Sequence, residues 1–177
     1  INEKEELWYQ RTFDVPSAWR GKQILLHFGA VDWKAEVWVN DVKVGEHTGG
    51  FTPFYFDITS VLNKGNNDLV VKVWDPSDRG EQPRGKQIAN PHGIWYTPVT
   101  GIWQTVWLEP VATQYITNLK TTPDIDNNSV KVEVAANTTS ADKVEVKVFD
   151  GKNLVAKGAA LNGVPVELAM PANAKLW

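Results

Sequence analysis

Short runs in which apolar and polar residues alternate one for one, bounded by Gly, Pro, Asn or Asp, fill most of this 177-residue chain. No other feature constrains its fold as much. A period of two puts one face on a core and the other in water only in a β-strand, whereas a helix needs a period near 3.6. "LWYQRTFDV" sets Tyr9, Arg11, Phe13 and Val15 against Trp8, Gln10 and Thr12, and Pro16, which cannot donate to a ladder, ends the run. "QILLHFGAV" is apolar on both faces, which predicts a central strand covered on both sides. "AEVWVNDVKVGEH" predicts a hairpin turning at Asn40-Asp41, two residues that tolerate positive φ. "FTPFYFDI" sets Phe54, Phe56 and Ile58 against Tyr55 and Asp57, and "NDLVVKVW" predicts another strand with Leu69, Val71 and Val73 inward. Between them "TSVLNKG" allows one helical turn, started by Thr59 or Ser60 and stopped by Gly65. The predicted fold class is all-β.

The alternation stops at Asp75. "DPSDRGEQPRGKQIANPHG", residues 75–93, carries three prolines, three glycines and six formal charges. Irregular segments longer than about 12 to 15 residues are uncommon in compact domains and often carry function. "IWQTVWLEP" then predicts a closing strand, and Pro110 with the polar "ATQ" marks a boundary near residue 112. Beyond it, alternating Val with Lys or Glu, almost free of aromatics, predicts a second small β-sandwich. The expected domains are 1–112 and 113–177.

Composition narrows the function. The formal charge of −3 comes from scattered single residues, so no basic stripe is present to neutralise a phosphate backbone, and nucleic acid is not expected as a partner. The longest apolar runs fall far below the roughly 18 residues of a membrane-spanning helix, so no membrane partner is expected either. Without cysteine there are no disulfides and no thiolate zinc sites. His27, His47 and His92 are too scattered for a metal triad, and no phosphate loop or nucleophile elbow is present. No metal or cofactor is expected. The chain begins at Ile1 and shows no signal-peptide pattern, which reads as an excised piece.

"WYQRTFDVP", "VWVNDVKVGEHTGGFTPFYFDIT", "NDLVVKVWD" and "GIWQTVWLE", in that order over residues 7 to 112, resemble the N-terminal sugar-binding domain of glycoside hydrolase family 2, the family of β-galactosidases, β-glucuronidases and β-mannosidases. The resemblance implies a galactose-binding-like jelly-roll β-sandwich, followed by a smaller immunoglobulin-like β-sandwich. It also implies that the second sandwich is truncated. That family announces its end with "LWSP", and this sequence stops at Leu176-Trp177. Its last strands and the (β/α)₈ barrel would then lie outside the chain, leaving Val144, Val146, Val148 and Val166 short of partners and open edges that favour a homo-oligomer.

Family members are retaining enzymes whose two glutamates, about 5 to 5.5 Å apart, lie in that barrel. The resemblance therefore implies a fragment inactive alone, acting on a β-galactoside or β-glucuronide only with its barrel. In enzymes of the β-galactosidase type an aspartate from the loop after the "V-x-W" strand reaches the active site, and Asp75 or Asp78 matches that place, with Asp78 preferred. Both have bland alternatives: Asp75 before Pro76 opens turns, and Asp78 beside Arg79 reads as a surface pair. Arg79, Arg84 and Lys86 would steer an acidic sugar or dock the loop on the barrel, and docking is the favoured reading. Such enzymes from glycan-degrading bacteria are often exported, a lean toward the periplasm.

Three tryptophans crowd "PHGIWYTPVTGIWQTVWL", residues 91–108. Trp95 and Tyr96, beside the polar loop, suit stacking on a pyranose. Trp103 and Trp107 are read as packing within the sandwich or against the next domains, with removal of a buried Trp107 costing about 3 to 5 kcal/mol. Asn40 is assigned to its turn. Three functions stay open: a non-catalytic part of a β-glycosidase that braces the barrel and lends loop residues to its sugar pocket, a free-standing carbohydrate-binding module, and a structural or adhesive β-sandwich.

Overall fold

The computed structural model describes residues 4–174, so the Leu176-Trp177 signature lies outside the described residues. It is an all-β chain in two compact units, Ile1–Val111 and Ala112–Trp177.

The first unit holds β1 (Glu6–Phe13), β2 (Gln23–Phe28), β3 (Val31–Asp32), β4 (Lys34–Val39), β5 (Val42–Thr48), β6 (Phe54–Asp57), β7 (Asn67–Trp74), β8 (Gly101–Ile102) and β9 (Val106–Val111). One sheet runs β1-β7-β4-β5 and the other β6-β2-β9, all antiparallel. The alternating residues of both meet in one core: Ile24, Leu26 and Phe28 from β2, Ala35, Val37 and Val39 from β4, Val71 and Val73 from β7. Burying each large apolar side chain contributes about 1.5–3 kcal/mol, which holds the two sheets face to face as a sandwich. Strand β2 is central, as its doubly apolar sequence predicts. The hairpin also follows: Asn40 and Asp41 have φ of 50° and 63°, the pair of left-handed residues that a two-residue turn requires.

Two local expectations fail. The helical turn is a 3₁₀ turn over Thr59–Val61, with Ile58 in the capping position. The Thr59 hydroxyl is diverted from capping: it accepts from the backbone N–H of Ile24 at 2.8 Å and donates to the Asp57 carboxylate. The closing strand is broken. Gly101 and Ile102 leave the main sheet to pair with β3, residues 103–105 form no strand, and β9 resumes beside β2. Trp103 and Trp107 therefore do not fill the sandwich: they are 50% and 42% exposed.

The second unit comprises β10 (Ile116–Asp124), β11 (Ser129–Ala136), β12 (Lys143–Asp150), β13 (Asn153–Leu161) and β14 (Val166–Ala169). The sheet β10-β11-β14 faces the hairpin β12-β13 across a small core of Val132, Val134, Val166 and Leu168. Val144, Val146 and Val148 pack on that core and Val166 is buried, so these four do not lack partners. Gly158 permits the approach, since a β-carbon there would lie 2.7 Å from Val166 and 2.8 Å from Leu168.

Candidate functional site

Polar side chains of the long loop tie it down. Asp75 is 4% exposed, and one carboxylate oxygen accepts from the Ser77 backbone N–H at 2.7 Å while the other accepts from the Thr100 hydroxyl at 2.6 Å. The two ends of the loop are thereby joined. Asp78 accepts from the Ala89 N–H at 2.9 Å, and its carbonyl accepts from the Arg84 guanidinium at 2.9 Å. Gln87 accepts from the Val99 N–H at 2.5 Å, and the backbones of Lys86, Ile88 and Tyr96 bond across the loop. A segment of this length without a ladder would otherwise leave many backbone groups unsatisfied.

The residues singled out from sequence separate into two groups. Asp75 is inside, with both oxygens engaged in fastening the loop. Asp78 and Arg84 are half-buried neighbours, Arg79 is exposed, Trp95 is half-buried and Tyr96 is 67% exposed. No ion pair links Asp78 to Arg79 among the described residues; the partner that Asp78 holds through its carbonyl is Arg84.

The alternation gave no sign of a pocket centred on Asp32. Pairing of β3 with β8 sets Asp32 opposite Gly101, at the open end of the sandwich where the long loop returns. The residue is 9% exposed. Burial, and then the neighbouring charge of Asp75, push it up to about 6 from the usual carboxylate value near 3.8. It lines an open cavity of about 260 Å³ together with Phe51, Gln87, Thr100, Gly101 and Trp103. Gly50 organises this corner. Its carbonyl accepts from the indole N–H of Trp103 at 2.8 Å, and a β-carbon at Gly50 would lie 2.5 Å from an Asp32 oxygen. Phe51 meets Trp103 edge to face, with centroids 6.0 Å apart and planes at 70°. The only hint in the sequence is an acidic residue directly after the apolar run "FGAV".

The arrangement offers an acceptor carboxylate, two aromatic walls and hydroxyl and amide groups already fixed in place, which is equipment for holding a polar ring. The histidines are dispersed: His27 stacks on Trp107, His47 stacks on Phe54, and His92 sits in the loop. Among the described residues, no three His, Cys, Asp or Glu side chains gather as a metal cage.

Residues 1–109 match the family described as glycosyl hydrolases family 2, sugar binding domain. A β-galactosidase of Thermoanaerobacter pseudethanolicus is 35% identical over 149 residues, covering 83% of this chain and 19% of that protein. The human β-glucuronidase is 26% identical over 195 residues, covering 97% of this chain and 29% of its own length. The solved structure of a β-glucuronidase from Ruminococcus gnavus in complex with a C6-substituted uronic isofagomine superposes with a TM-score of 0.75 at 26% identity, covering 97% of this chain and 30% of that one. The chain thus spans about a fifth to a third of the length of these relatives. With the family matched across the whole first sandwich and the likeness extending through the second, this chain belongs to glycosyl hydrolase family 2 and corresponds to the N-terminal region of its β-galactosidases and β-glucuronidases.

Proposed function

We propose that this chain is the non-catalytic N-terminal part of a retaining β-glycosidase of the β-galactosidase type, with a β-glucuronidase as the second reading. It braces a catalytic barrel and lends loop residues to one wall of the sugar pocket. The observation that carries this reading is the long loop: it is fastened at both ends through Asp75 and internally through Asp78 and Gln87, yet it presents Arg79 and Tyr96 outward. A rigid scaffold with exposed polar and aromatic tips is what a pocket wall needs. Asp78, Arg79, Arg84, Trp95 and Tyr96 are the proposed contacts, and Asp75 holds them in position. Residues 113–177 are proposed as the start of the immunoglobulin-like domain that follows.

Retaining hydrolysis requires two carboxyl groups about 5 to 5.5 Å apart. Asp75 is committed to Ser77 and Thr100, so the acid/base and nucleophile are assigned to the barrel of the full-length enzyme. The test is hydrolysis of p-nitrophenyl β-D-galactoside and β-D-glucuronide by the full-length enzyme and by this chain alone. The chain alone should be inactive, and Asp78→Ala or Trp95→Ala in the full-length enzyme should lower kcat/KM by about tenfold or more, equivalent to about 1.4 kcal/mol. Turnover by the isolated chain, or both variants at full activity, would overturn the reading.

A further inference from the structure

Strands β13 and β14 are joined by residues 162–165, Asn162-Gly163-Val164-Pro165, and Asn162-Gly163 is the one Asn-Gly pair in the sequence. The Val164 N–H donates to the Leu161 carbonyl at 2.9 Å, and Gly163 takes a φ of 80°, the left-handed value that the third residue of a type II turn requires. With glycine there, no side chain shields the backbone nitrogen of residue 163.

The turn is fastened to β11 beyond the point where β14 stops pairing with it. Strand β14 meets β11 only from Ser129 to Val132. Past that, the Gly163 N–H donates to the Val134 carbonyl at 3.0 Å, and the Asn162 carboxamide imitates one more strand residue. Its oxygen accepts from the Ala136 N–H at 2.9 Å, and its Nδ2 donates to the Ala136 carbonyl at 2.9 Å and to the Thr138 carbonyl at 3.4 Å. One side chain thus closes the end of the ladder.

The chemistry open to this pair is intramolecular. Cγ of an asparagine and the next backbone nitrogen can close a five-membered ring, and a following glycine does not obstruct the approach. The Gly163 nitrogen gives its proton to solvent and attacks Cγ of Asn162; the N–Cγ bond forms, the Cγ–Nδ2 bond breaks, and the departing nitrogen takes a proton back from solvent and leaves as ammonia. Water then opens the cyclic imide. Cleavage of the N–Cγ bond yields an aspartate, and cleavage at the main-chain carbonyl yields an aspartate linked through its β-carboxyl. In the closed turn both reactants are engaged, the nitrogen by Val134 and the carboxamide by Ala136 and Thr138, so the reaction proceeds from the opened turn and its rate follows the open population.

We propose that Asn162 is a deamidation site gated by this turn, and that its conversion to aspartate unhooks the β13–β14 connection from β11. A carboxylate still accepts from the Ala136 N–H, but it has no proton for the Ala136 and Thr138 carbonyls and sets a negative charge against their oxygens. The same corner already holds Asp142, whose carboxyl is kept below its usual range by hydrogen bonds from Thr138 and Thr139. In the β-linked product the backbone gains one carbon, which displaces β14 and with it Val166 and Leu168, half of the buried core of the second unit.

The test holds the 177-residue chain and a synthetic peptide of residues 159–166 in one buffer at pH 8 and 37 °C. Mass spectrometry follows the gain of one dalton, and fragmentation places it and separates the two aspartyl linkages. The peptide should convert at least about tenfold faster than the chain, and Leu168→Ala, which loosens β14 without touching the pair, should move the rate of the chain toward that of the peptide. Asn162→Asp should speed hydrogen exchange at the Gly163 amide by about tenfold while exchange in the first unit is unchanged. The proposal falls if the peptide keeps its amide, if peptide and chain convert at the same rate, if Leu168→Ala converts no faster than the parent chain, or if Asn162→Asp leaves exchange at Gly163 as it was.

Discussion

The indole of Trp107 lies flat on the imidazole of His27, with ring centroids 4.8 Å apart and planes within 4° of parallel. The two residues are directly opposite on β9 and β2, on the outer face of their sheet, because Leu26 and Phe28 take the inner one. Trp107 is 42% exposed, so its removal takes away a surface stack of about 0.5–1.5 kcal/mol and not the 3–5 kcal/mol of a buried aromatic. In urea unfolding, Trp107→Ala should lose about 1 kcal/mol and Phe28→Ala, which empties a site with no exposure, about 3–5 kcal/mol. Equal losses would mean that the outer face is covered in solution.

A buried asparagine carries a larger share of the local structure. Asn67, 1% exposed, accepts from the Asn40 amide at 2.8 Å and the Asn63 N–H at 2.7 Å, and donates to the Gly65 carbonyl at 2.7 Å. Asn40 in turn accepts from the Asp68 N–H and donates to the Val61 carbonyl, which makes its role structural. Each polar group left buried without a partner costs about 1–3 kcal/mol. Asn67→Leu is therefore expected to destabilise the first unit by about 3 kcal/mol in chemical denaturation, and a loss below about 1 kcal/mol would show that the network is not needed.

These two cases mark what is legible in the sequence. Alternation assigns residues to faces, and it places Val71 and Val73 inward, where the core holds them, with the Asn40-Asp41 turn following from residues that accept positive φ. It does not say which of two apolar faces is covered, so it leaves Trp103 and Trp107 open between packing within the sandwich and packing against the next domains. Nor does it reveal pairings between distant segments. Asp32 meets Gly101 only because β8 breaks away from the closing strand, and it meets Asp75 only because β7 ends at the same edge of the sandwich. The candidate site is built from such encounters, whereas the loop residues were accessible through their irregular composition.

On the outer face of the first sheet, Glu36 accepts from Lys43 at 2.6 Å and from Lys72 at 2.5 Å, beside the stacked rings of Trp8 and Trp38. The hydrogen bond from Lys43, then that from Lys72, hold its carboxyl down at about 2, against an ordinary 4.5. A depressed carboxylate stabilises the fold above its unfolded value and loses that contribution as pH falls from 4.5 through 2. Glu36→Gln should therefore cost no more than about 1 kcal/mol at pH 7 once solvent screening is counted, with the difference closing near pH 2. Added salt should narrow it too. A pH-independent difference would assign the effect to packing.

Asp32 runs the other way. Its folded value near 6 exceeds the ordinary 3.8, so the protonated form is the one that the fold favours. Its stabilising contribution is complete below pH 3.8 and is lost as pH rises through 6. The charge that acts on it is Asp75 from the end of β7, which opposes its ionisation; Arg84 lines a recess with both aspartates and is engaged by the Asp78 carbonyl. Asp32→Asn imitates the protonated carboxyl without changing its outline. The melting temperature of the variant should exceed that of the parent chain at pH 7, and the difference should shrink steadily on lowering the pH from 7 to 4. A constant difference across that range would show that Asp32 ionises like a solvated carboxylate, and its burial beside Asp75 would then carry no electrostatic cost.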